Sequence, residues 1–165
     1  MKMSEALLAE FDQEMATTRR TLERVPEDKF GWQPHEKSMT MGRLACHIAG
    51  IPNFGISVAK ADSMDLSKEH GDVAAADRQQ LLAGFDRLVG RARSAIAGMS
   101  DEDMARPWSL LRGETTLFRA PKAAILRTVM MNHLIHHRGQ LSVYLRLTNT
   151  PVPSIYGPSA DEGIM

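Results

Sequence analysis

His133 and His137 stand four residues apart in the stretch Asn132-His133-Leu134-Ile135-His136-His137-Arg138. At that spacing on a helix they project from adjacent turns, close enough to hold one metal ion between them. Residues 123–147 read as one long helix. At about 100° per residue, Leu126, Met130, Leu141 and Tyr144 fall within a stripe roughly 60° wide, with both histidines inside or beside it. An imidazole fills a core position poorly unless its nitrogens have partners. Metal ligation is one way to supply them, and buried hydrogen bonding is the other. A pair gives two ligands, and a functional site needs at least a third. His47, at the edge of the apolar face of a separate candidate helix, is the best donor from elsewhere in the chain. Three neutral imidazoles converging from two helices would make a metal site with open coordination positions. Their chemistry admits zinc or nickel.

The remaining reactive side chains have plainer readings. His136 projects about 60° away from His133, beside Asn132 and Gln140, so it belongs to the boundary of the site. Asn132, His136 and Gln140 are the candidates for orienting the ligands from outside. His35, in the run Trp32-Gln33-Pro34-His35, could reach the mouth of a site but reads more simply as an exposed loop residue. His70, between Glu69 and Gly71, reads the same way. Cys46 adjoins His47, yet neighbouring helix residues point about 100° apart, so it reads as a small buried residue and not as a nucleophile. Asp101, Glu102 and Asp103 fit a helix N-terminus. No nucleophile elbow, phosphate loop or dinucleotide fingerprint is present, and no catalytic residue is assigned.

The elements that must position these residues follow a 3.6-residue period. A first helix is expected over 4–24, with Ser4 as its cap and Pro26 at its exit. A second starts near Ser38 or Thr40 and carries Leu44, Ala45, Ile48 and Ile51 to Pro52, which kinks or ends it. A third covers 75–97, with Ser100 capping a further short turn, and the histidine helix is opened by Pro121. Residues 26–37, 62–72 and 106–120 read as linkers, and 149–165 as an extended tail rich in proline. The expected fold is all-α, a four-helix bundle with long linkers, in one domain over 1–165.

Composition narrows the function. Twenty basic residues balance 20 acidic ones, so no net field steers nucleic acid or an anionic membrane, and aromatics at 5% give few stacking platforms. No apolar run approaches the roughly 20 residues of a bilayer span. The N-terminus places acids where a signal peptide would be apolar, and the single cysteine, Cys46, cannot close an internal disulfide; both suit the cytoplasm. Apolar residues on more than one helix face (Met130 and Met131 with Leu134 and Ile135; Ile51 with Phe54 and Ile56) predict a homodimer, unless the linkers and tail cover them.

Two blocks carry a resemblance. Phe30-Gly31-Trp32-Gln33-Pro34-His35, followed by Gly42-Arg43-Leu44-Ala45-Cys46-His47-Ile48, is similar to a Trp-x-Pro turn leading into a helix with one histidine. Asn132 to Leu141 is similar to a His-x-x-x-His helix, and the tail from Pro153 to Glu162 matches endings of the same group. The chain thus resembles the DinB/YfiT-like superfamily of bacterial metal-binding four-helix bundles. The resemblance implies a divalent metal on His47, His133 and His137, with water or substrate at the remaining positions, and a homodimer. Some relatives use low-molecular-weight thiols as transferases or isomerases. The expectation is therefore a metal-dependent enzyme, a thiol-dependent transferase or a hydrolase. The competing expectation is a non-catalytic, metal-stabilised bundle acting as a stress-related binding or sensing module.

Overall fold

Apolar residues spaced three and four apart give α1 (Met3–Leu22) a face of Leu8, Phe11, Met15, Thr18 and Leu22, all buried. The structure, a computed structural model, describes residues 2–68 and 73–163, so His70 lies outside it. The expected cap at Ser4 is corrected. The Glu5 carboxylate accepts the Lys2 amide at 3.1 Å, the helix starts earlier, and Ser4 is buried within its first turn. A 3₁₀ turn (Glu27–Lys29) leads to α2 (Met41–Gly50), whose cap is Thr40, its hydroxyl accepting the Arg43 amide at 3.2 Å. Pro52 separates α2 from α3 (Asn53–Lys60). Gly55 lets α3 approach the last helix closely, since a Cβ there would lie 2.9 Å from Met130 Sδ.

The third helix, α4 (Arg78–Ala97), is capped by Asp77 and buries Leu81, Phe85, Leu88, Ala92 and Ile96. Ser100 and Asp103 form the reciprocal cap of the short α5 (Asp101–Ala105). The last arm is continuous: α6 (Lys122–Ile125), a π-helical segment (Leu126–Asn132) and α7 (His133–Leu147). These arms share one core in which Phe11, Leu44, Ile48, Leu81, Phe85, Ile96, Met130 and Leu141 are almost fully buried. Among the described residues, no helix is long and apolar enough to cross a membrane.

The all-α expectation needs correction. The fold is mostly helical, with a small three-stranded sheet built from stretches read as linkers. β1 (Ser63–Asp65) runs parallel to β2 (Pro107–Arg112), which pairs antiparallel with β3 (Thr115–Pro121). Gly113 makes the turn with φ +58°. The sheet leaves no period-2 signature because β3 is exposed nearly throughout and the β2–β3 register shifts at Leu110/Leu111. Trp108, Thr115, Thr116 and Phe118 around the Gly113-Glu114 pair were the available signal.

The phase of the last arm also differs from expectation. Beyond Leu126 and Met130, the buried row continues through Leu134, Arg138, Leu141 and Leu145, and the histidines and Tyr144 lie half-buried on its flank. A π turn holds more residues than an α turn, so a constant 100° projection carried across it drifts out of phase.

The described residues of the tail form no helix or strand, as expected, but are pinned down. Glu162 pairs with Arg20 and Arg24, and Asp161 with Arg146. Tyr156 donates its hydroxyl to Glu14 Oε1 at 2.8 Å and accepts from Arg138 at the same distance. Arg138 and Glu14 themselves form a buried ion pair at 2.7 Å. Of the residues in the wide apolar arcs that predicted a dimer, Met130, Met131 and Leu134 are fully buried and Ile51 and Ile56 nearly so, while Phe54 and Ile135 are half-buried.

Candidate metal centre

Two helices bring the site together. His47 lies in the last turn of α2, while His133 and His137 stand one turn apart at the start of α7, directly after the π segment. The loop before α2 anchors that helix. Met41 and Gly42 donate their amides to the carbonyls of Trp32 and Phe30 at 2.7 and 2.9 Å. Trp32 in turn meets the ring of Tyr144 edge-on at 5.6 Å, and Tyr144 Oη donates to the Met39 carbonyl. The Trp-x-Pro turn therefore holds α2 against α7 at the level that aligns the histidines.

The three rings converge as the sequence led one to expect. His47 Nε2 lies 3.3 Å from His133 Nε2, and one nitrogen from each of the three rings falls within 4.8 Å of the others. Ring centroids are 4.6–5.1 Å apart, and all three histidines are half-buried. Phe54 of α3 packs edge-on against His133 at 6.4 Å.

Protonation follows from this crowding. Burial, then the proximity of His137 and His47, pushes His133 down to about 4, against a smaller upward pull from its hydrogen bond to the Val129 backbone. Burial also lowers His137, offset in part by its bond to Gln140. Near neutral pH both rings carry a free lone pair. His137 Nδ1 lies 2.6 Å from Gln140 Oε1. An amide oxygen only accepts, so Nδ1 carries the proton and Nε2 is left as the coordinating atom.

A divalent ion bound tetrahedrally at about 2.0–2.1 Å holds its nitrogens about 3.3 Å apart. The His47–His133 separation matches that, and the neutral His133 and the Gln140-oriented His137 are the right donors beside it. The residues fit a metal.

The other candidates stay outside. His136 is exposed with its ring 5.0 Å from His137, at the boundary. Asn132 accepts from Arg127 and does not orient a ligand, which leaves Gln140 in that role. His35 is exposed, and its Nδ1 accepts the Lys37 amide at 3.1 Å. Cys46 is half-buried against the core. Asp101 accepts the Met3 amide and Asp103 caps α5. Sequence reasoning missed the Val129 carbonyl, because no side-chain pattern announces a backbone acceptor, and Phe54, which read only as an apolar residue.

In overall structure the chain is similar to a DinB-like protein from Bacillus cereus ATCC 10987, with TM-score 0.74 and 22% identity, covering 92% of this chain and 97% of that one. A DinB-like protein from Bacillus subtilis superposes with TM-score 0.71 at 20% identity, covering 90% and 96%. No curated protein sequence matches. The sequence profile described as the DinB family matches residues 1–163, nearly the full length, and the chain belongs to the DinB family.

Proposed function

We propose that this DinB family protein is a metal-dependent enzyme in which His47, His133 and His137 hold one divalent ion, zinc or nickel, for thiol-dependent transfer or hydrolysis. The observation that carries it is the convergence of three ring nitrogens within 4.8 Å on residues that are each half-buried. A closed structural site would use four protein ligands, whereas three leave room for a reactant. When bound, the ion supplies Lewis acidity and lowers the pKa of a thiol or water. The protein's own residues do the rest. His133 and His137 stay neutral, Gln140 fixes the His137 ring, Phe54 shields the flank of His133, and the exposed side admits the substrate. The family resemblance favours a low-molecular-weight thiol in the reducing cytoplasm. The test is an activity screen with zinc or nickel, with and without small thiols. Turnover is expected only with metal and should vanish in His137→Ala, while full metal occupancy in both His133→Ala and His137→Ala would refute the site.

A second reading has its own support: α2 and α7 are far apart in sequence, so a shared ion would tie them together. Absence of turnover under every condition, with metal bound and stability raised by it, would favour this structural or sensing role. For association, the proposal remains a homodimer, now resting on Val143 and Leu147, which are 55% and 57% exposed one turn apart on α7. Light scattering at micromolar concentration should give about twice the 18.3 kDa chain mass, and a monomer mass would overturn the dimer.

A further inference from the structure

On the far side of α3 from the histidines lies a cavity of about 560 Å³ between α3, β1 and α4. Its floor is apolar: Ile56 and Met64 are buried and Leu111 is half-buried. Its rim is cationic, with Lys60, Lys68 and Arg91 all exposed. A neighbouring cavity of about 620 Å³ shares Ile56, Lys60 and Arg91, so a groove continues along α3 and α4. Phe54, which faces His133, and Ile56 are two residues apart on α3, about 200° around the helix. The groove and the metal centre therefore lie on opposite sides of α3.

The charges at this rim are not used by the fold. Two residues along α4, Arg93 makes a two-pronged pair with Asp12 at 2.8 and 2.9 Å, and Arg19 of α1 reaches Asp86. Among the described residues, Lys60 and Arg91 have no such carboxylate partner, while Lys68 is close enough to the Asp65 carboxylate to help hold it ionised. Two acidic groups line the groove: Asp86 is taken by Arg19, and Asp65 accepts from the Ser67 amide and hydroxyl and the Gly113 amide, at 2.8–3.0 Å. That leaves an excess of positive charge over an apolar floor. An arginine fork beside a lysine recognises a carboxylate, and three apolar side chains beneath it suit a hydrocarbon tail.

We propose that this α3–α4 groove binds a small carboxylate with an apolar tail, its head held by Arg91 and Lys60 and its tail lying over Ile56, Met64 and Leu111. The site is independent of the histidine centre.

Octanoate is the probe, titrated into the full chain by calorimetry. Saturable binding is expected at one molecule per chain. Arg91→Gln and Lys60→Gln, both at exposed positions and checked for folding by circular dichroism, should each weaken it by about tenfold or more. Acetate, lacking the tail, and octanol, lacking the charge, should bind at least tenfold more weakly than octanoate. His137→Ala should bind octanoate as the parent does. Four results would overturn the proposal: no octanoate binding, equal binding by the Arg91→Gln variant, loss of binding in His137→Ala (placing the carboxylate at the metal centre), or tighter binding of octyl phosphate, which would make the head a phosphate.

Discussion

His137 and Arg138 are consecutive residues of α7, and they end in opposite surroundings. Arg138 turns inward and is 1% exposed. Its guanidinium meets the Glu14 carboxylate, the Glu14 carbonyl, the Thr18 hydroxyl and the Tyr156 hydroxyl, and lies 5.1 Å from the Tyr156 ring centre. His137 turns sideways into a group of like residues that cannot all take a proton at once. In the first cluster opposite charges meet and hydrogen bonds join three distant parts of the chain. In the second, ring nitrogens of three histidines face one another within 4.8 Å, with His47 Nε2 and His133 Nε2 3.3 Å apart. A polar cluster that satisfies itself holds a fold together, while one whose lone pairs converge is built for something that arrives from outside. Both clusters hang on the same two turns of helix, so the distinction rests on partners and not on burial alone.

The widest separation between the two should come from removing Arg138. Arg138→Met leaves Glu14 as a buried, uncompensated charge and should cost about 3–5 kcal/mol in urea denaturation. His133→Ala measured on the metal-free protein should cost far less, because it relieves crowding among the rings. Equal losses would erase the contrast. Gln140→Ala tests how the second cluster is tuned: metal affinity should fall about 10–100-fold as the His137 ring loses its orientation, with little change in metal-free stability.

The subtlest effect is on pH. Folded His133 takes a proton only near 4, whereas an unfolded histidine does so near 6.5. Between those values the unfolded chain binds more protons, so stability of the metal-free protein should be level above about pH 7 and fall as pH drops from about 6.5 to about 4. The lowered His137 acts in the same direction. The urea midpoint should be lower at pH 5 than at pH 7.5, and His133→Ala should narrow the gap. An unchanged gap in that variant would assign the pH effect elsewhere. At His133 and His137 the same depression moves proton competition for the metal below the ordinary imidazole range near 6–6.5.

The sequence was most legible where residue type and chemistry coincide. Three histidines at the right offsets specified the cluster, Thr40 and Ser100 marked helix starts, and Pro52 marked a break, since each acts through local geometry. Arg138 was illegible because an arginine reads as surface until its partner is known, and Glu14 lies on another helix while Tyr156 lies in the tail. The sheet was hidden for the converse reason: with β3 exposed, no buried face imposed alternation on its residues. Gln140 was legible as one of three candidates, and only the fold separated it from Asn132, which Arg127 claims.

The π segment at Leu126–Asn132 gives the last arm one residue of slack. Deleting a residue inside it can return the backbone to ordinary α pitch while both ends of the helix stay seated. A deletion between His133 and His137 has no such reserve and would swing one ring about 100° away from the other. Length variation in this helix is therefore tolerable on one side of His133 and ruinous on the other, with the tolerant stretch ending where the histidines begin.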